Sequence, residues 1–181
     1  MNDSKTALIR PAGEADVAAI TRIYRHHVLC GTGTFEIQPP DEVDMLQRLQ
    51  RVMQRGLPWL VAERAGDVAG FAYANWFRER EAYRWTLEDS VYVDALQRGQ
   101  GLGSALLQQL LQACEAQGAR QLLAVIGDSA NESSIALHLR HGFTRGGLMP
   151  AVGWKFGRWL DVVMMQKALG PGATDPPTHG A

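Results

Sequence analysis

The sequence predicts a single-domain α/β (α+β) fold, a mixed central sheet with helices on both faces. Three observations carry this expectation. Strand-like and helix-like segments follow one another in the order β-α-α-β-β-β-α-β-α-β-β, which suits a sheet covered by helices. The run Leu122 to Ile126 is continuously apolar, as expected of an interior strand covered on both sides. Between a strand-like run (Val91, Tyr92, Val93) and an amphipathic helical pattern, Gly99, Gly101 and Gly103 alternate with other residues.

In chain order, Ala7 to Arg10 reads as a short strand ended by Pro11. Glu14 to Cys30 follows, with Val17, Ile20, Ile23, Tyr24 and Val28 at helical spacing and so one buried stripe. The connection GTGTFEIQPP carries Phe35, either a plug closing the edge of the core or a wall of a substrate cleft. Asp41 reads as the N-cap of a second helix running to about Gln54, terminated by Gly56 and Pro58. Trp59 to Glu63 and Val68 to Trp76 form a hairpin around Ala65, Gly66 and Asp67, and a third run from Tyr83 to Val93 leads into the glycine turn. Ala105, Leu106, Leu110, Leu111 and Cys114 mark the buried face of the long helix, with Gly118 at its C′ position. A short helix begins near Asn131 and stops at Gly142. Phe143 to Met149 and Lys155 to Gln166 close the sheet as a final pair. Residues 1 to 169 thus form the domain, and the proline- and glycine-rich 170 to 181 reads as a mobile tail.

At 181 residues the chain holds one real core. A net charge of -1 lacks the basic excess of a nucleic-acid binder. No apolar run approaches the roughly 20 residues that span a bilayer, and the N-terminal stretch lacks the apolar segment of a signal peptide. Cys30 and Cys114 have no metal-ligand spacing; buried free thiols in a cytoplasmic protein are expected, and no metal.

The glycine turn is built for an anion. The first N–H groups of a helix lack internal partners and sit at its positive end, and glycines let a phosphate approach the main chain. A Walker loop would need Lys and then Ser or Thr after its last glycine, but Gly103 is followed by Ser104 and Ala105. A dinucleotide fingerprint would need a third glycine where Ser104 stands. What does fit is Arg-x-x-Gly-x-Gly at Arg98, Gly101 and Gly103. This resembles the acyl-CoA pyrophosphate loop of the GCN5-related N-acetyltransferases (GNAT superfamily). The resemblance implies a mostly antiparallel sheet whose strands splay around acetyl-CoA on either side of the loop and its helix. Tighter likeness lies in WTLEDSVYV, the arginine-bearing turn before it, and GWKFGRWLDVVMMQ, which are similar to the phosphinothricin and methionine sulfoximine acetyltransferase branch. That branch implies a small amino-acid-like acceptor and a homodimer. It implies cofactor contacts at Val91, Tyr92, Val93, Arg98, Gly99, Gln100, Gly101, Leu102, Gly103, Ser104 and Asn131, and substrate contacts at Arg78, Glu79, Arg80, Glu88, Asp89 and Ser90.

Direct acetyl transfer requires a base for the ammonium, a donor for the thioester carbonyl, alignment, and a proton for the thiolate. Glu88 and Asp89 are adjacent acids on a strand, so only one faces a given cleft; Glu88 is taken as the base. The family pattern Asn-x-x-Ala-x-x-x-Tyr-x-x-x-Gly-Phe is matched at Asn131 and at Gly142 with Phe143, but His138 replaces the tyrosine. His138 is either the proton donor to sulfur or a packed side chain. The arginines near Arg78 and Arg80, and Lys155, suit an anionic group on the acceptor or are simply solvated. The expected activity is acetyl-CoA-dependent N-acetylation of a small amino acid or analogue. Acetylation of protein N-termini or other amines, and a non-catalytic CoA-binding module, remain the alternatives.

Overall fold

The computed structural model describes residues 7–177. Its seven strands are β1 (Leu8–Pro11), β2 (Trp59–Arg64), β3 (Asp67–Trp76), β4 (Thr86–Val93), β5 (Gln121–Gly127), β6 (Thr144–Lys155) and β7 (Arg158–Ala168). Its helices are α1 (Val17–Cys30), α2 (Glu42–Gln54), α3 (Leu102–Ala116) and α4 (Glu132–Arg140). The strands form one sheet in the order β1-β2-β3-β4-β5-β7-β6. Every neighbouring pair is antiparallel except β4 and β5.

A core lies on each face of the sheet. Ile20, Ile23, Leu49, Val61 and Phe71 join α1 and α2 to one face. Leu106, Leu107, Leu110, Leu122 and Met165 fill the other, under α3, with Ile135 of α4 in the same cluster. Burying each such large side chain contributes about 1.5–3 kcal/mol, so the helix stripes read from the sequence are what clamp the sheet. The Asp41 carboxylate accepts from Asp44 N at 2.8 Å and caps α2, and Gly118, at φ +82°, closes α3.

Several boundaries differ from expectation. The segment before α1 is a 3₁₀ turn at Glu14–Asp16, because the Asp16 carboxylate accepts from Gly13 N and from Arg10. The strand expected from Tyr83 begins at Thr86, after a 3₁₀ turn at Glu81–Tyr83. The expected strand to Met149 continues to Lys155. It survives Pro150 because β6 is a sheet edge and the register shifts between Met149 and Gly153. Cys114 is buried, its thiol pushed up to about 12 chiefly by burial, whereas Cys30 is exposed. Past Leu169 the chain folds back on the sheet: the Arg120 guanidinium donates to Gly172 O at 3.4 Å and Pro176 O at 3.3 Å. Residues 1–6 and 178–181, included in the expected domain and tail, lie outside the described residues.

Candidate active site

The parallel pair β4/β5 is joined only from Thr86–Gln121 to Asp89–Ala124. Beyond that point β4 runs on to Val93 and β5 to Gly127 without pairing to each other, so the sheet opens. Two bonds fix which groups face the opening: Phe77 N donates to Thr86 O at 3.2 Å and Asp94 N to Ala69 O at 2.9 Å. Antiparallel pairs alternate between bonded and non-bonded. The β3-bonded residues of β4 are therefore Glu88, Ser90 and Tyr92, and Asp89, Val91 and Val93 turn their N–H and C=O groups toward β5. At Val91 and Val93 no strand among the described residues receives them.

The opening leads to the glycine turn. Gly99 and Gly101 have φ of +74° and +81°, a left-handed backbone that a side chain would strain. Gly101 is the N-cap of α3, so the N–H groups of Leu102, Gly103 and Ser104 form the helix's first turn and point outward. Opening and turn together make one cleft of about 710 Å³. Its wall includes Val91, Tyr92, Val93, Arg98, Gly99, Gly101, Leu102, Gly103, Ser104 and Asn131. Of the expected cofactor contacts, Gln100 stands apart, donating its amide to Gln97 Oε1 at 3.2 Å. Asn131 caps α4 by accepting from Ser134 N at 3.3 Å.

Side chains on β4 also alternate. Leu87, Val91 and Val93 pack on the α3 side and Tyr92 on the α1/α2 side, so Asp89 faces α3 and Glu88 faces away from it. Asp89, expected among the acceptor contacts, is buried against His138 on the cleft wall: Oδ2 lies 3.0 Å from His138 Nε2. Among the described residues the Asp89 Oδ1 atom has no hydrogen-bond partner. The other ring nitrogen, Nδ1, lies 2.7 Å from Ser134 O and must donate to it. One further proton is therefore shared between Nε2 and the carboxylate. Burial depresses the His138 pKa, but the bond to Asp89, its charge and the Ser134 carbonyl outweigh this and raise it.

On the α1/α2 side Glu88 is half-buried. Burial and the Asp89 charge raise its pKa, and Arg78 pulls it down. Ser90 sits opposite Tyr73 in the β3–β4 register. Arg78 rests on the Phe77 ring, 4.7 Å from its centroid. Glu79 pairs with Arg55 at 3.2 Å and Arg80 is exposed. Phe35 fills a notch beside two glycines: a Cβ on Gly153 would lie 2.2 Å from its ring, and one on Gly127 2.8 Å. The Lys155 ammonium is buried and donates to Gly31 O at 2.8 Å and Thr34 O at 2.7 Å. It holds the loop after α1.

A splayed parallel pair, an anion-ready glycine turn and two acids on opposite faces make up this site. Residues 20–143 match the acetyltransferase (GNAT) family. The chain is 49% identical over 169 residues to a phosphinothricin N-acetyltransferase of Alcaligenes faecalis, covering 93% of this chain and 86% of the relative. The chain belongs to the acetyltransferase (GNAT) family. It is also 44% identical to an L-methionine sulfoximine/L-methionine sulfone acetyltransferase of Pseudomonas aeruginosa, over 94% of this chain and 99% of that one. Its fold superposes with a TM-score of 0.94 and 48% identity on a Sinorhizobium meliloti phosphinothricin acetyltransferase solved with AcCoA, covering 97% and 95% of the two chains.

In this acetyltransferase the cleft has walls that sequence reasoning missed. His27, Gly31, Thr32 and Gly33 reach it from the end of α1, and Asp128 and Arg140 from either end of α4's neighbourhood. Asp128, at φ +72°, is fixed by accepting from Ala130 N and pairing with Arg158. The signal for the loop was present: two glycines and two threonines in GTGT, which read only as a connection. For His27 there was none, since a histidine on a helix stripe looks like any other half-buried side chain. Among the described residues no three His, Cys, Asp or Glu side chains converge as a metal site, and no helix is long and apolar enough to cross a membrane.

Proposed function

We propose that this acetyltransferase moves the acetyl group of acetyl-CoA directly to the α-amine of a small amino acid or analogue of the phosphinothricin, methionine sulfoximine or methionine sulfone type. The observation that supports it most is the division of β4: main-chain donors and the glycine turn on the cleft side, and a half-buried Glu88 beside Arg78 on the other. The first-turn amides with Arg98 hold the diphosphate, and the main-chain groups of Val91 with the N–H of Val93 pair with the pantetheine arm. Glu88, its pKa raised by burial, takes the proton of the incoming ammonium. The amine nitrogen then forms the C–N bond while a main-chain N–H in the opening receives the negative charge on the carbonyl oxygen; Glu88 passes its proton to solvent, and the nitrogen sheds its second proton to solvent as the adduct collapses. As the C–S bond breaks, the thiolate takes the proton held between Asp89 and His138, which solvent later restores. Arg78 and Arg80 supply positive charge for the acceptor's anionic group.

The enzyme is proposed to act in the cytoplasm, where the thiols of Cys30 and Cys114 stay reduced, and as a homodimer through β6 and β7. Leu148, Val152, Trp154, Phe156 and Trp159 there are each more than half exposed, a patch that association would cover.

Thiol release from acetyl-CoA, measured over phosphinothricin, methionine sulfoximine, methionine sulfone, the common amino acids, spermidine and an alanine-terminated peptide, tests the reading. Turnover is expected on the amino-acid analogues, with Glu88→Gln slower by about 10²–10⁴-fold and insensitive to the pH range where the wild-type rate rises. Turnover confined to the peptide or spermidine, or a Glu88→Gln rate within a few fold of wild type, would overturn it.

A further inference from the structure

The last turn of α1 reaches the cleft at a point that acetyl transfer itself does not use. His27 Nε2 lies 2.9 Å from Val93 O. A carbonyl only accepts, so this nitrogen carries the proton and the ring is fixed as the Nε2–H tautomer. The ring packs edge-on against Tyr92, with centroids 5.1 Å apart and planes at 68°. The His27 carbonyl meanwhile accepts from Gly31 N at 3.0 Å, so one residue ties the end of β4 to the loop that walls the cleft. Burial chiefly lowers the pKa of the ring, with Arg98 and His26 acting the same way, against the opposing pull of the Val93 carbonyl and Asp94.

Val93 is the final residue of β4, and its carbonyl is one of the groups turned into the opening. The first turn of α3 packs beside Val93, a Cβ on Gly103 falling 3.7 Å from its side chain, with the N–H groups of that turn outward. A bare carbonyl oxygen there would set a negative dipole end beside a site for an anion. It would also be an unpaired acceptor once a ligand excludes water.

We infer that His27 is a positioning residue for the diphosphate of acetyl-CoA: by donating Nε2–H to Val93 O it removes an acceptor from the anion's path and anchors the end of β4 where the glycine turn begins. The role rests on the acetyl-CoA reading above and deepens it.

Calorimetric titration with acetyl-CoA separates the two. Absence of binding by the wild type would defeat the acetyl-CoA reading itself. With wild-type binding in hand, His27→Phe is expected to weaken acetyl-CoA about tenfold and to raise its KM alike, leaving the KM of the amine within twofold. His27→Gln, which keeps an N–H donor, is expected to recover most of the loss. Equal binding by His27→Phe, a parallel rise in both KM values, or no recovery by glutamine would overturn the role of His27 alone. Should His27→Phe not fold, ¹⁵N-histidine spectra of the wild type decide. A ring locked as Nε2–H that shifts when acetyl-CoA is added supports the role. A freely titrating ring, or one unmoved by the ligand, ends it.

Discussion

Asp89 and His138 share a buried proton, and that proton makes folding stability depend on pH. The His138 pKa is raised in the folded state. The pair's contribution is therefore complete below the ordinary histidine value of about 6.5 and is lost as pH rises through the folded value. Asp89→Asn keeps the contact without the titration, because the amide can donate to Nε2 while Nδ1–H still donates to Ser134 O. Thermal unfolding from pH 5.5 to 9 is expected to show the wild type losing stability relative to Asp89→Asn across that window, the shared contribution of the other histidines cancelling in the comparison; parallel profiles would refute the shared proton. Part of this pair was legible beforehand. The spacing from Asn131 to Gly142 and Phe143 exposed His138 as a substitution, and strand alternation required the two acids to face opposite ways. Which acid faced the cleft was not legible, because β4 is interior and both its faces are covered, so the usual polar-versus-apolar contrast between faces is absent.

Elements with a strong period or a cap were readable; those shaped by distant partners were not. The N-cap at Asp41 and the glycine turn are local, and they appear where the sequence places them; the α3 stripe holds at Leu106, Leu110 and Cys114, but Leu102 and Leu107 complete it in place of the half-buried Ala105 and Leu111. β6 is different. Its length is set by pairing to β7, its bulge by Pro150 and by the Asp161 carboxylate accepting from Ala151 N at 3.0 Å, and its far end by the Lys155 ammonium under the loop after α1. Gly153 belongs to the same device, since only a missing side chain leaves room for Phe35. Gly153→Ala should expel that ring, costing about 1–3 kcal/mol of stability through overpacking and raising the KM of the amine severalfold. In the double variant Gly153→Ala with Phe35→Ala, the two losses should sum to more than the measured total. Strict additivity in chemical denaturation would show that the glycine and the ring do not share the notch.

At the scale of the whole molecule the two ends of the sheet are unequal. One edge is β1, four residues long; the other is β6, twelve residues long. A long edge invites another chain to pair or pack with it, and stable monomers shorten, charge or cover such edges. Here Trp154 and Trp159 sit opposite one another in register, rings 5.3 Å apart, at 55% and 61% exposure. No charge interrupts the exposed sequence from Leu148 to Trp154. In the proposed homodimer a second copy of the chain would be the cover, as in a closed symmetric assembly. Because β6 also seats Phe35 and holds the loop after α1 through Lys155, covering it should stiffen one wall of the cleft. Trp159→Glu places a charge in that patch without touching the cleft. Sedimentation velocity is expected to give twice the chain mass for the wild type and the single chain mass for Trp159→Glu. The variant should retain its fold but show a KM for the amine raised about tenfold, the cost of roughly one buried contact. A wild type that sediments as a monomer at assay concentration would remove the dimer. A monomeric variant with unchanged KM would leave the dimer standing but uncouple it from the site.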